Sequence, residues 1–438
     1  MKSRTCWVLT FLLACLVGPP AVSAQEKMTL EQAIDLALKN SQAVEAASES
    51  VTGAEAKVAE SKSLYYPQLS VGGNYTRMSL ISTFKFPLGD KVYDISFGIP
   101  NNYNLRAGVV EQIFNWGRTQ KTIEMNRRGQ DLARDGVTLT RQAIAYQVVP
   151  VFYGVIFFRE AAKVLDDNIA LYEKKAAIMK ERYEAGLASS FDASTLLVQA
   201  STLKAQRLDF ENNIRKLIIG FNTLAGRPSD ATLDPAGEFA FKPVSTDKAE
   251  LVKEALAMRP EFEQFIHQAQ LTQASVDLAR TGNKPVVALT ASYELRNGFM
   301  PDMNRIRGNW NAGLAISYPV FNGFRENAQV AQGESALRTI EIRRRDLERT
   351  VDMEIETSLS DLRTIELKMD IEMLKIRQAE DALRIAEERY QNGLLSATDF
   401  IESQNTVESA RLNRLQLIYN HILGVYGLDR AVGKRIIE

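Results

Sequence analysis

Apolar positions along this chain switch between two periods, and they make the same switch twice. From about Thr29 to Leu64 an Ala- and Glu-rich stretch reads as a helix, stopping before Tyr66-Pro67 because proline excludes helical geometry just upstream. A second such stretch spans about Asp247 to Arg280, with Pro260 opening its main part, and stops before Pro285. After each, apolar and polar residues alternate. Val287, Leu289, Ala291, Tyr293 and Leu295 alternate with Ala288, Thr290, Ser292 and Glu294, and Leu69, Val71 and Tyr75 do likewise in the first half. Further strands read Tyr103, Leu105, Ala107, Val109 and Trp310, Ala312, Leu314, Ile316, Tyr318. Strands of about ten residues with one apolar, aromatic-ended face fit a transmembrane β-barrel. They fit equally a surface sheet with one wet face.

Beyond the strands the helical period returns and persists. From Arg118 to Ala185 only Gly129, Gly136, Pro150 and Gly154 interrupt it, and Pro150 predicts a kink. At ~1.5 Å per residue this is a rod of about 100 Å. Its seam steps by three and four: Val148, Val151, Val155, Phe158, Ala162, Leu165, Ile169, Tyr172, Ala176, Met179, Tyr183. The same seam recurs from Ile355 to Tyr390. Ala193, Leu196, Ala200, Leu203, Arg207, Phe210, Ile214, Leu217 and Phe221 form a return seam, as do Phe400, Ser403, Val407, Ala410, Arg414 and Leu417. Sustained heptads predict coiled-coil hairpins.

The two halves are copies. Pro67 and Pro285 stand 285 − 67 = 218 residues apart, whereas Phe114/Phe321, Arg118/Arg325 and Gly186/Gly393 stand 321 − 114 = 207 apart. The first copy therefore carries 218 − 207 = 11 extra residues between its strands, in the link from Arg77 to Asn102. The organisation predicted is a first repeat over 25–225, a linker over 226–246 and a second repeat over 247–438.

Residues 1–24 read as a secretory signal: Lys2 and Arg4, an apolar run from Trp7 to Val17, then Val22-Ser23-Ala24. Leu13-Ala14-Cys15 offers lipidation of Cys15 as an alternative. Both cysteines, Cys6 and Cys15, lie in this segment, so cleavage after Ala24 leaves no thiol. Without Lys2 and Arg4 the charge balance is 51 − 54 = −3, which gives no reason to expect nucleic acid. Beyond the signal no run reaches eighteen apolar residues, so the exported chain is either soluble or held as a barrel. Four strands cannot close a barrel, which begins at about eight strands, so a barrel requires several chains.

The motif Arg-Tyr-x-x-Gly-Leu-x-Ser-x-x-Asp occurs at Arg182 to Asp192 and again at Arg389 to Asp399. With the duplication, Leu30-x-x-Ala33, Ala37-Leu38 and Arg259-Pro260-Glu261, it resembles the TolC-like outer membrane efflux proteins, or outer membrane factors. The resemblance covers essentially the whole mature chain. It implies a mainly α, internally duplicated fold with four transmembrane strands per chain. A homotrimer would then form a twelve-stranded barrel in outer-membrane lipid and a periplasmic helical tunnel. It also implies a periplasmic adaptor (membrane fusion) protein and an inner-membrane pump as partners, the outer membrane of a Gram-negative bacterium as location, and no cofactor. One departure is Ser41-Gln42, where the family usually has Asn-Pro.

Gly186 and Gly393 fit left-handed helix ends, and Ser189 and Ser396 fit N-caps of the returning helices, with Asp192 and Asp399 completing capping boxes. The turns Ala185-Gly186-Leu187-Ala188 and Asn392-Gly393-Leu394-Leu395 are also candidate adaptor contacts, because Leu187 and Leu394 would be exposed. Asp399 and Glu402 share a helix face. The resemblance implies that they ring the constriction of the closed tunnel, where threefold symmetry would gather six carboxylates. Two charges ~8 Å apart at a dielectric of ~40 repel by about 1 kcal/mol. A solvated helix face is the plain alternative. In the family the position of Tyr390 can bond that of Asp192 to latch the closed state, often with a basic residue where Leu395 stands here. Core packing explains Tyr390 equally well. His267 and His421 form no ligand cluster, no nucleophile motif or phosphate loop is present, and the chain reads as a non-enzyme. A periplasmic coiled-coil adaptor or scaffold without a pore is the rival function.

Overall fold

The computed structural model describes residues 27–437. The signal segment, its cleavage site and Cys15 lie outside them. Helices α1 (Leu30–Asn40) and α2 (Gln42–Lys62) replace the single helix expected from Thr29 to Leu64. Thr29 opens α1 with a capping box, its Oγ1 accepting from Gln32 N while its own N–H donates to Gln32 Oε1 at 2.8 Å. The break falls at Ser41, which is extended and buried. Arg259 makes the corresponding break between α5 (Lys248–Met258) and α6 (Pro260–Ala279), where Pro260 forces the residue before it out of helical geometry. Ser41 takes the same conformation without a proline to impose it.

Strands β1 (Gln68–Arg77), β4 (Asn101–Phe114), β5 (Val286–Arg296) and β6 (Arg307–Ser317) form one antiparallel sheet in the order β1-β4-β5-β6. Residues 78–100 contain an unanticipated element, a separate hairpin of β2 (Thr83–Leu88) and β3 (Lys91–Ser96) turning at Gly89. The inserted residues thus build a ribbon outside the four-stranded sheet.

Helices α3 (Arg118–Glu184) and α7 (Arg325–Gln391) each run 67 residues. They return as α4 (Ser190–Leu224) and α8 (Ala397–Val432). Helix α3 continues through Pro150, whose carbonyl accepts from Tyr419 Oη of α8 at 3.2 Å. The seams are where the heptads placed them. Val148, Val155, Leu165 and Tyr172 are fully buried, and every seam position from Ile355 to Tyr390 is buried or half-buried. Two positions depart: Tyr183 and Arg414 are exposed.

Three apolar clusters hold the helices together. One gathers Ile34 of α1, Phe152 of α3, Phe221 of α4, Leu233 of the linker and Ile422 of α8. A second fills the far end of the hairpins with Leu165, Tyr172, Leu196, Tyr390 and Phe400. The third joins Leu251 of α5, Ile355 of α7 and Leu428 of α8. The linker crosses this middle zone in extended form, tied by Arg159 to Asp234 and by Asn222 Nδ2 donating to Ala231 O at 2.7 Å.

Candidate functional site

Strand register decides which side chains share a face of the sheet. Val71 pairs with Ala107, Ala107 with Tyr293, and Tyr293 with Trp310, so these lie on one face. Leu69, Tyr75, Leu105, Val109, Leu289, Leu295, Leu314 and Ile316 follow by alternation. Most of this face is bare: Leu69 is 73% exposed, Trp310 74% and Ile316 73%. Water penalises an apolar sheet of that extent, whereas hydrocarbon accepts it. Aromatic side chains border it at both ends. Tyr75, Tyr103, Tyr293 and Trp310 lie toward the loops, and Phe114, Trp116, Phe321 and Phe324 lie toward the helices. Two charges interrupt the face, Arg77 at its outer end and the half-buried Glu111 near the helices. The opposite face carries Asn74, Asn104, Arg106, Glu294, Asn309 and Asn311. A wet-faced surface sheet would need the apolar side covered by protein, and in this chain it is not.

At the other end of the molecule two tight turns join α3 to α4 and α7 to α8. Each closes with a pair of 6→1 and 5→2 bonds. Leu187 N donates to Arg182 O at 2.8 Å and Gly186 N to Tyr183 O at 2.9 Å, while Leu394 N donates to Arg389 O and Gly393 N to Tyr390 O. Gly186 (φ 76) and Gly393 (φ 71) are left-handed, as such turns require. Leu187 is 79% exposed and Leu394 76%, with Ala185 and Asn392 also exposed and Ala188 and Leu395 half-buried.

Both serines cap, but neither completes a capping box. Ser189 Oγ accepts from Phe191 N at 3.1 Å rather than from Asp192 N. Ser396 Oγ accepts from Asp399 N and donates to Asp399 Oδ2 at 2.7 Å, so that carboxylate takes the hydroxyl instead of the cap's backbone N–H. The shorter Asp side chain stays on the serine where a glutamate would reach back.

Tyr390 is buried and stacks on Phe400, with ring centroids 4.9 Å apart and planes at 15°. Its hydroxyl has no hydrogen-bond partner among the described residues, so the bond to Asp192 is not made here. The half-buried Asp192 is still close enough to act on it. Burial first, and the Asp192 charge second, push the Tyr390 pKa up to about 12 against the opposing Arg182. Sequence reasoning missed the groups that brace this ring. Lys175 of α3 is buried, with Nζ 4.5 Å from the Phe400 centroid and 2.8 Å from Glu387 Oε1 of α7. Arg182 donates to Gln391 O at 3.3 Å. The available signal was a lysine next to seam residue Ala176, on the face two hairpins must share.

Asp399 and Glu402 are both exposed. Glu402 borders a shallow surface with Lys375, Thr398, Ile401, Asn405 and Thr406. One chain does not bring these carboxylates into an enclosed site. The histidines stay apart. His267 Nδ1 lies 2.7 Å from Asp135 Oδ2, whereas His421 is buried against Phe241, and burial holds its pKa below the ordinary value. Among the described residues no group of three His, Cys, Asp or Glu side chains could hold a metal.

Comparison with known proteins agrees with this anatomy. The family model "Outer membrane efflux protein" matches residues 33–226 and 251–434. The pyoverdine export outer membrane protein OpmQ of Pseudomonas aeruginosa is 24% identical over 420 residues, spanning 92% of this chain and 85% of its own length. Outer membrane protein TolC of Escherichia coli is 21% identical over 405 residues, spanning 86% and 76%. Among solved structures, the Campylobacter jejuni CmeC outer membrane channel superposes with a TM-score of 0.73 at 17% identity, covering 92% of this chain and 85% of that one. The bare apolar sheet, the long helical hairpins and these matches lead to one assignment: the chain is an outer membrane protein belonging to the outer membrane efflux protein family.

Proposed function

We propose that this chain is the exit duct of a tripartite efflux or type I secretion system, working as a homotrimer. The carrying observation is the sheet: an apolar face bare to its surroundings, a polar reverse, and two unpaired edges, β1 and β6. Lipid does not tolerate open edges, so β1 of one copy pairs with β6 of the next. Three copies supply 3 × 4 = 12 strands, enough to close a barrel. The polar face then lines a pore, and the helices extend it into the periplasm.

Transport through such a duct is passive. An inner-membrane pump supplies the energy and a periplasmic adaptor connects pump to duct. The exposed Leu187 and Leu394 are apolar tips suited to an adaptor surface. Three copies would bring 3 × 2 = 6 carboxylates of Asp399 and Glu402 around the axis at the periplasmic entrance. That ring would attract cations and resist tight closure. The chemistry is conduction and gating, with Lys175 of the first hairpin set against Glu387 and the stacked Tyr390 and Phe400 of the second, holding the two hairpins of each copy together.

Single-channel recording in planar bilayers tests the proposal. The protein should form channels blocked by a trivalent cation, and Asp399→Ala/Glu402→Ala should raise the half-blocking concentration at least tenfold. Unchanged block would remove these carboxylates from the constriction, and absence of channels would remove the duct.

A further inference from the structure

The polar face of the sheet is ordered into rows by the strand register. Moving outward from the helices, the rows read Gln68–Val110–Thr290–Gly313, Ser70–Gly108–Ser292–Asn311, Gly72–Arg106–Glu294–Asn309 and Asn74–Asn104–Arg296–Arg307. The first two rows carry no charge. The third carries one of each sign. The outermost complete row carries two arginines and no acid.

Arg296 and Arg307 are direct cross-strand partners. Like charges opposite each other destabilise a sheet unless something lies between them. Among the described residues the one carboxylate paired with either arginine is Glu294, one row inward. Its Oε1 is 3.4 Å from Arg296 Nε and also accepts from Asn309 Nδ2 at 3.4 Å. Among the described residues Arg106 and Arg307 form no ion pair. Both outer arginines are held in place, Arg296 against the Phe299 ring at 4.6 Å and Arg307 by donating to Met300 O at 3.5 Å. On this face Arg106, Arg296 and Arg307 against Glu294 give 3 − 1 = +2 per chain.

We propose that Arg296 and Arg307 form an anion-binding ring just inside the outer mouth of the duct, taking solutes with two or more phosphate or carboxylate groups. The inference rests on the trimeric duct argued above. Three copies set six guanidinium groups around one opening with a net face charge of 3 × 2 = +6. Guanidinium forks match phosphate and carboxylate oxygens in pairs, and basic rings of this kind select anions. The acidic tips stand at the opposite end, so the duct is charged with opposite signs at its two openings. An anionic cargo meets an attractive last station before release, and cations entering from outside meet a repulsive one.

Tripolyphosphate block of single channels tests this, with the probe added to each chamber in turn. Block should arise from one chamber only. The half-blocking concentration should rise at least tenfold in Arg296→Gln/Arg307→Gln and stay within about twofold of wild type in Arg296→Lys/Arg307→Lys. Should the double glutamine variant make no channels, Arg307→Gln alone is expected to raise that concentration severalfold. Equal half-blocking concentrations in wild type and glutamine variants, or equal block from both chambers, would overturn the ring while leaving the duct standing. A wild type that makes no channels would overturn the duct itself, and the ring with it.

Discussion

Asn168 Nδ2 of α3 donates to Glu408 Oε2 of α8 at 2.9 Å, and both side chains are buried. Gln404 Nε2 donates to Asn168 Oδ1 at 2.7 Å, and Tyr172 Oη to Asn405 Oδ1 at 3.1 Å, so a polar network joins the two hairpins. Each hairpin is itself closed by ion pairs: Arg207–Asp166 and Lys204–Glu173 between α3 and α4, and Arg411–Glu380 between α7 and α8. Apart from the Lys175–Glu387 pair near the tip, the seam between hairpins relies on amides, the Tyr172 hydroxyl and one carboxyl without a cation.

That carboxyl makes the seam sensitive to pH. Burial raises the Glu408 pKa, with the Asn168 hydrogen bond opposing. A raised folded value means the packed state prefers the proton. Its stabilising contribution is complete below the ordinary glutamate value of about 4.3 and is lost as pH rises through the raised one. Glu408→Gln should therefore match wild type in acid and exceed it at pH 8, by roughly 1–3 kcal/mol for a buried carboxylate with no cation beside it. Paired thermal melts across pH check this; parallel curves would refute it.

Lys175 braces the tip through Glu387 and the Phe400 ring. Glu387 is 43% exposed, so solvent weakens the pair, and pair plus ring together contribute roughly 1–2 kcal/mol. Lys175→Met keeps the aliphatic stem and removes the charge. It should shift channels toward higher conductance, read by single-channel recording, with little change in melting temperature.

Leu187 and Leu394 are bare, so Leu187→Asp/Leu394→Asp should leave the melting temperature unchanged. Binding to the periplasmic adaptor should weaken at least tenfold, measured by surface plasmon resonance with purified protein.

Gly226 ends α4 at φ +58, where an added Cβ would lie 2.8 Å from Asn40 O, a backbone atom. Gly226→Ala should cost about 1–3 kcal/mol through strain and crowding. Gly53, inside α2 with nothing within 4 Å, gives the contrast: Gly53→Ala should stabilise by roughly 0.5–1 kcal/mol. Thermal denaturation of the two variants separates them.

The long seams were legible because a heptad repeats one statement many times, and a wrong register would show as misplaced charges. The sheet face was legible as alternation, but its environment was not, since alternation is the same in lipid and at a wet surface. Register settled the question by placing Leu69, Tyr293 and Trp310 on one bare face. Ser41 hid the break in the first helix because no proline marks it. Tyr183 and Tyr390 occupy the same motif, yet only Tyr390 is buried. The reason is ten residues further on: Phe400 offers a ring to stack on, whereas the first copy has Ala193 there. Tertiary partners of this kind leave no local periodic trace, and neither did Lys175.

Copy number decides the central claim most directly. The mature protein, extracted from outer membranes in mild detergent, should give a particle of three chains by native mass spectrometry, dissociating only on strong denaturation. A single folded chain stable in buffer without detergent would contradict the duct.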